Sequence, residues 1–417
     1  MKFEWFHLMP YPDLPDDFRE KYHSVWVDVP SHLYDPVRGH EIYNEYLDEL
    51  EYAASVGFDG ICVNEHHQNA YGLMPSPNLM AASLARRAPE TAIVVLGNSL
   101  ALYNPPTRVA EEFAMLDVIS GGRLIAGFPV GTSMDTNYTY GQTPVTLRDK
   151  YREAHDLIVR AWTAPEPFAF NGKYTQLRYV NTWPRPIQKP HPPIWVPGGG
   201  SIETWEWITD EDYLFAYLSY AGYKRAKTVM DGFWDHVAEK GKEMNPYRAG
   251  FLQFVAVAED DAQAEELYSE AAVYFFERCM HVYRGFAEAP GYRSLRSLQA
   301  GLRTQIGENR PPGAGAGGIF GQPRGWKDYI EDGTIIAGSP ESVTEQIHDL
   351  ADQLRVGHLM VLQQFGNMNK ETAMYNTKLF ADRVMPGLRG IWSDWEDKWW
   401  IHPLAQQQAP RPLTAGI

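Results

Sequence analysis

The chain has 417 residues, with 37 Lys and Arg against 53 Asp and Glu, a formal charge of -16 with neutral histidines. That acidic balance argues against nucleic acid as a partner, because phosphate backbones need a basic surface. Hydrophobic residues make up 44% and charged ones 22%, the proportions of a chain that buries a large core, so disorder along most of the length is excluded.

At the amino end, Glu4 and Pro10 interrupt any apolar stretch, so no secretory signal is expected. The longest apolar runs, such as Ala92 to Leu96, fall far short of the roughly 20 residues that cross a membrane. The cytoplasm is the expected compartment. Two cysteines, Cys62 and Cys279, cannot build a disulfide scaffold or a zinc site, and Cys62 sits in an apolar run where an inert buried thiol is expected.

Eight short runs rich in Val, Ile, Leu and aromatics read as strands: Lys2 to Leu8, Gly60 to Asn64, Ala92 to Gly97, Leu124 to Phe128, Ile194 to Gly198, Leu214 to Ser219, Phe251 to Val257 and His358 to Gln363. They alternate with helical spacing. Ile42, Tyr43, Tyr46, Leu47, Leu50, Ala53 and Ala54 form one apolar stripe closed by Gly57, and Tyr151, Ala154, Leu157, Ile158, Ala161 and Trp162 form another stopped by Pro165. Eight strands alternating with helices predict an α/β fold, a TIM (β/α)8 barrel with insertions in its βα loops, in which catalytic groups gather at the carboxyl ends of the strands.

One barrel domain is expected over residues 1–400, with a frayed tail at 401–417. The long connections are 13–39, 165–190 and 287–333. Within the second, Asn171-Gly172 between aromatic-rich runs predicts a two-residue hairpin turn. The third carries Pro311 to Gly318, a glycine-rich stretch that reads equally as a mobile lid or as an inert insertion.

Two places could carry chemistry. Glu65-His66-His67 follows the second strand, which puts imidazoles at the catalytic end of a barrel; the plainer reading is that one or both only hydrogen-bond the loop. No metal is expected, since neighbouring residues of an extended segment point oppositely and no third ligand stands nearby. The second place is Gly198-Gly199-Gly200-Ser201, after the fifth strand and before a helix that includes Thr204. Amides at a helix amino end and glycines that admit close approach make an anion site, although glycine turns are also common without one. No dinucleotide or P-loop fingerprint is present, so a tightly held nicotinamide loses support.

Taken in order, Gly57-Phe58-Asp59, Glu65-His66-His67, Ser120-Gly121-Gly122-Arg123-Leu124, Pro193 to Ser201, Ala337 to Val343 and Val384-Met385-Pro386 give a pattern that resembles the bacterial luciferase-like family of flavin-dependent monooxygenases over most of residues 1–390. The resemblance implies a TIM barrel that binds FMN, with His66 beside flavin and substrate as the catalytic residue. It implies phosphate contacts from Arg148, Gly199, Gly200, Ser201 and Thr204. It also implies a cis peptide from Ser99 to Leu100 beneath the flavin ring, with Asn98 beside it. Where luciferase proper has a Cys-Arg pair after the fourth strand, this chain has Pro129-Val130, so aldehyde-dependent light emission is not implied.

The activity implied is oxygenation of a small organic substrate by reduced FMN (FMNH2) and O2 through a C4a-hydroperoxyflavin, with a separate flavin reductase supplying FMNH2. Alternatives of the same fold are a deazaflavin-dependent oxidoreductase and a flavin-binding protein without turnover. His66 could act as base or proton relay. A homo-oligomer, such as a dimer, is expected from relatives. Tyr11, Trp26, Tyr34, Tyr71, Tyr103, Tyr138 and Tyr140 fall in predicted mouth loops and could line a substrate pocket or serve the core.

Overall fold

The computed structural model describes residues 1–131, 133–287, 291, 299 and 324–404. The strands are β1 (Lys2–Phe6), β2 (Gly60–Val63), β3 (Ala92–Leu96), β4 (Leu124–Gly127), β5 (Phe168–Asn171), β6 (Gln176–Val180), β7 (Ile194–Gly198), β8 (Leu214–Tyr217), β9 (Ala249–Val257), β10 (Ile335–Gly338) and β11 (His358–Leu362). Eight of them, β1-β2-β3-β4-β7-β8-β9-β11, pair in parallel around a closed barrel, and β11 returns to β1 with Trp5 opposite Val361. These are the eight runs expected from sequence. Their residues are buried almost without exception, because one face fills the barrel and the other lies under helices, so the strands read as continuous apolar runs.

Two strand assignments needed correction. β9 begins at Ala249 rather than Phe251, and its nine residues are long enough to pair first with β8 and then, from Phe254 to Val257, with β10. β10 itself has only four residues, too few for a period-two signal to separate it from the helix that follows. In the β5–β6 hairpin, Asn171 pairs with Gln176, so the turn spans residues 172–175 rather than the two-residue turn expected at Asn171-Gly172. The cause is a side chain from outside the hairpin: the Glu153 carboxylate accepts the amides of Lys173, Tyr174 and Thr175 and holds a wider turn open.

The helices that matter for the site are α1 (Pro36–Ser55), α2 (Pro77–Arg87), α3 (Thr107–Ser120), α4 (Met134–Thr139), α5 (Pro144–Thr163) and α6 (Ile202–Glu211). Asp35 caps α1 by accepting the Val37 amide at 2.8 Å, with Pro36 preset for the first turn, and Gly57 beyond its end sits at φ +101°. The long loop after β1 is therefore shorter than residues 13–39, since α1 has already started at Pro36.

At the amino end of the barrel a carboxyl-terminal segment closes the core. Trp195 Nε1 donates to the Trp399 carbonyl, and His358, fully buried, lies 2.9 Å from Glu4 and 3.4 Å from Asp397, which also takes Lys2 at 3.1 Å. Leu404 donates to the Gly121 carbonyl, so the residues just past 401 still pack on the barrel. Residues 405–417 and the lid-like stretch Pro311 to Gly318 lie outside the described residues. Among the described residues, no helix is long and apolar enough to cross a membrane.

Candidate active site

His66 and His67 leave β2 with different surroundings. The His66 side chain is 18% exposed and its Nδ1 lies 3.2 Å from Asp135 Oδ2, whereas His67 is buried with Nε2 2.9 Å from Glu65 Oε1. Asp135 comes from α4, after β4, and was not among the residues singled out from sequence. Its Oδ2 also accepts the His67 amide and the Asn69 side chain at 2.9 Å. Burial opposes its charge, but the bond and the attraction to His66 outweigh this and hold the Asp135 carboxyl below the usual range. An ionised Asp135 can only accept, so His66 Nδ1 carries a proton, and whenever the ring is neutral the lone pair is on Nε2.

Aromatic rings surround His66. Tyr71 meets it edge-on at 4.7 Å, Trp26 lies 6.4 Å away, and the Tyr71 hydroxyl donates to that of Tyr220 at 2.5 Å. Trp26 is fixed by its neighbours: Val25 donates to the His281 carbonyl and accepts from Ala70, while Val27 is held at φ +70°, a conformation that strains a β-branched residue. Of the other aromatics proposed for the mouth, Tyr103 and Tyr140 pack together at 6.1 Å, with Tyr140 against His67. Tyr11 is buried and stacks at a tilt on Tyr34 at 5.5 Å, and Tyr138 stands exposed beside Phe286.

Glu65 ties β2 to the end of β3. Its Oε2 accepts the Ser99 amide at 2.6 Å and its Oε1 the Tyr103 hydroxyl at 2.7 Å, while Asn98 Nδ2 reaches the Tyr103 oxygen at 3.2 Å. Asn98 and Ser99 are therefore both in this cluster. The cis step expected from Ser99 to Leu100 is absent: the cis bonds among the described residues are all before proline, at Pro105, Pro184 and Pro190. The Ser99 amide is bonded to Glu65, and a tight turn over Leu100–Leu102 starts directly after this step.

The other expected residues gather on the next wall. Arg148, in the second turn of α5, reaches Thr204 Oγ1 at 3.1 Å and Ser201 Oγ at 3.2 Å, at the amino end of α6. Ser201 does not cap its own helix; its hydroxyl donates to Glu203 instead. Gly199 and Gly200 are exposed, and a Cβ on Gly199 would meet nothing within 4 Å, so a ligand can approach that backbone. A guanidinium, an uncapped helix amino end and an open glycine turn suit a phosphate group. Asn98 Oδ1 is buried without a hydrogen-bond partner, which suits a ring that offers an N–H. The residues present therefore fit FMN. Among the described residues no group of three or more His, Cys, Asp or Glu could hold a metal ion, and Cys62 and Cys279 are buried with thiol pKa values raised by burial.

The family model described as luciferase-like monooxygenase matches residues 25–356. Limonene 1,2-monooxygenase of Rhodococcus erythropolis is 25% identical over 389 residues, covering 90% of this chain and 89% of its own. Among solved structures, the FMN complex of the oxygenating constituent of 3,6-diketocamphane monooxygenase from Pseudomonas putida superposes with a TM-score of 0.68 at 19% identity, over 93% of this chain and 98% of that one. An F420-dependent secondary alcohol dehydrogenase superposes with a TM-score of 0.62 at 16% identity, over 93% and 99%.

Proposed function

Because the chain belongs to the luciferase-like monooxygenase family, we propose that it is the oxygenase of a two-component system, which takes FMNH2 from a separate flavin reductase and uses O2 to oxygenate a small organic substrate. The observation that carries the reading is Arg148 held against Ser201 and Thr204 at the amino end of α6, an arrangement suited to a phosphate on the same barrel end as His66. The limonene and diketocamphane relatives support oxygenation, and the FMN in the diketocamphane structure supports the choice of flavin.

Bound FMNH2 supplies two electrons that activate dioxygen, so that one oxygen atom enters the substrate and the other leaves as water. Arg148, Ser201, Thr204 and the backbone at Gly199 and Gly200 would hold its phosphate. Asn98 and Ser99 would lie beside its ring. His66 Nε2 takes a proton from the substrate or from the oxygen side, and Asp135 offsets the charge that then develops on the imidazole. Trp26, Tyr71 and Tyr220 give the substrate an apolar wall and keep water from His66.

We assign the enzyme to one catalytic domain over residues 1–400 and to the cytoplasm. A homodimer is proposed through α2 and α3, which expose Leu79, Met115, Val118 and Ile119 on the outside of the barrel.

The test is oxygen consumption with FMNH2 and a panel of cyclic terpenes and ketones, run beside anaerobic oxidation of reduced F420 with secondary alcohols. Product carrying one atom of labelled dioxygen supports the reading. Turnover of F420 without oxygen, together with no binding of FMN, replaces it by the hydride-transfer alternative.

A further inference from the structure

The aromatic wall beside His66 has a hydrogen-bond donor left over. Tyr71, after β2, and Tyr220, after β8, come from opposite sides of the eight-stranded barrel, and their hydroxyls meet at 2.5 Å across its mouth. Each hydroxyl has one proton to give. Neither makes another hydrogen bond among the described residues, so one proton is donated within the pair and the other is free. Tyr71 is 2% exposed and Tyr220 only partly buried, so the less costly arrangement has Tyr71 donating and the free O–H on Tyr220, where a ligand or water can take it. Burial first pushes both phenols up, Tyr220 to about 12 although the Tyr71 bond lowers it, so both keep their protons at neutral pH. A hydroxyl that accepts one bond donates the next more strongly, and Tyr220 is therefore a polarised O–H.

Its surroundings limit what it can bind. Phe254 and Phe275 pack on the Tyr220 ring at 5.7 and 6.1 Å, and Trp26 meets Tyr71 edge-on at 5.5 Å. Trp26 Nε1 is itself buried without an acceptor. The charge that acts on Tyr71 is the Asp135 carboxylate, which would repel an anion, and no cation acts on either phenol. An anion here would be desolvated without a partner. A carbonyl oxygen accepts without bringing a proton of its own, and a hydrocarbon body suits the rings. We propose that Tyr220, with Tyr71 behind it, is the specificity-determining donor of the pocket, and that the substrate is an uncharged, largely apolar carbonyl compound whose oxygen it receives. The inference rests on the oxygenase reading, which puts the substrate against this wall, and adds to it the substrate class and the residue that recognises it.

The experiment is calorimetric binding of cyclic ketones of graded ring size to the purified protein loaded with FMN. Each ketone is compared with the hydrocarbon in which an exocyclic methylene replaces the carbonyl oxygen, and with the carboxylate of the same ring. In wild type the ketone that fits should bind about tenfold more tightly than its methylene counterpart, and the carboxylates should bind worse than either. Tyr220→Phe should bring ketone and hydrocarbon to within about twofold while the Kd of the hydrocarbon changes by less than about threefold. Tyr71→Phe keeps the donor but removes the bond that polarises it, and should lie between. With the carbonyl carbon isotopically labelled, infrared difference spectra should show the C=O stretch of the bound ketone at lower frequency in wild type than in Tyr220→Phe. A role in stability alone would weaken ketone and hydrocarbon alike and leave the stretch unmoved. The proposal is overturned if no ketone binds, if ketones and methylene counterparts bind equally, if carboxylates bind best, or if the preference survives Tyr220→Phe. Failure to bind FMN would refute the flavin reading and this inference together, whereas FMN bound without a preference for ketones overturns the inference alone.

Discussion

Replacing Arg148 by alanine isolates the phosphate contact from every other part of the site. Its guanidinium is already held by Thr204 Oγ1 at 3.1 Å and Ser201 Oγ at 3.2 Å, so little side-chain freedom is lost when an anion arrives. A hydrogen bond to a charged group contributes roughly 1.5–3 kcal/mol, which corresponds to about one to two decades in Kd. Ser201 is half-exposed, so water can replace the arginine there, whereas the Thr204 hydroxyl is buried, so a small drop in melting temperature is expected beside the loss of phosphate binding. Arg148→Lys should lie between, because an ammonium keeps the charge but not the planar fork that spans two hydroxyls. The assay is quenching of flavin fluorescence on titration, with FMN and riboflavin in parallel. FMN should weaken by about 10- to 100-fold and riboflavin should not change. Equal losses for the two flavins would remove Arg148 from the phosphate site, and the proposed function would lose the observation that carries it.

Three further outcomes follow from the same geometry. His66→Ala should cut product formed per FMNH2 by about 10²–10⁴ with FMN affinity intact, the usual worth of general acid or base work, whereas His67→Ala should instead lower the melting temperature because it unties Glu65; matched turnover losses in the two variants would refute the division of roles. Asp135→Asn lets an amide N–H face His66 Nδ1 and move the imidazole proton to Nε2, so turnover should fall by about 10²-fold and flavin binding should stay; an unchanged rate would show that the tautomer is immaterial. At the amino end of the barrel, burial opposes the His358 charge, but Asp397 and Glu4 raise its pKa to about 9, while Asp397, against its own burial, is held at about 2 by His358 and Lys2. A raised histidine stabilises fully below its unfolded value and loses this as pH rises through the folded one, so stability should fall by on the order of 3 kcal/mol between about pH 6.5 and 9. Thermal melts of wild type and His358→Gln across that range should differ in slope; parallel curves would refute the assignment.

Strand positions were legible because parallel strands buried on both faces read as apolar runs in any register, and α1 and α5 because each carries an apolar stripe with a clear stop. β10 was not, since four residues cannot display a period. The hairpin turn was misjudged because its geometry is set by Glu153, a residue of α5 that no local reading connects to Asn171. Within the site, His66 and the turn at Gly199 to Ser201 could be placed by their position, and Asn98, Ser99, Arg148 and Thr204 only through the family resemblance. Asp135 escaped both routes: it lies on a six-residue helix amid Met134, Thr136 and Asn137, and only the fold brings it to a histidine 69 positions away. A search for acids after the fourth strand, at the same barrel end as Glu65-His66-His67, would have raised it as a candidate. The Ser99–Leu100 step shows the opposite limit, a family expectation of a cis bond that this chain does not meet.

The closure of the barrel between β1 and β11 bears on how the protein is made. β1 takes β2 on one edge within the first 63 residues, but its other edge waits for His358 to Leu362. At roughly 5–20 residues per second, the ribosome needs about 20–70 s to supply them. For that time an apolar strand, Phe3-Glu4-Trp5-Phe6, presents an unpaired edge to the crowded cell while β2, β3 and β4 already stand beside it. The half-barrel is thus the state most exposed to capture by chaperones or by other nascent copies, and slowed translation upstream of residue 358 should harm yield more than an equal delay after it.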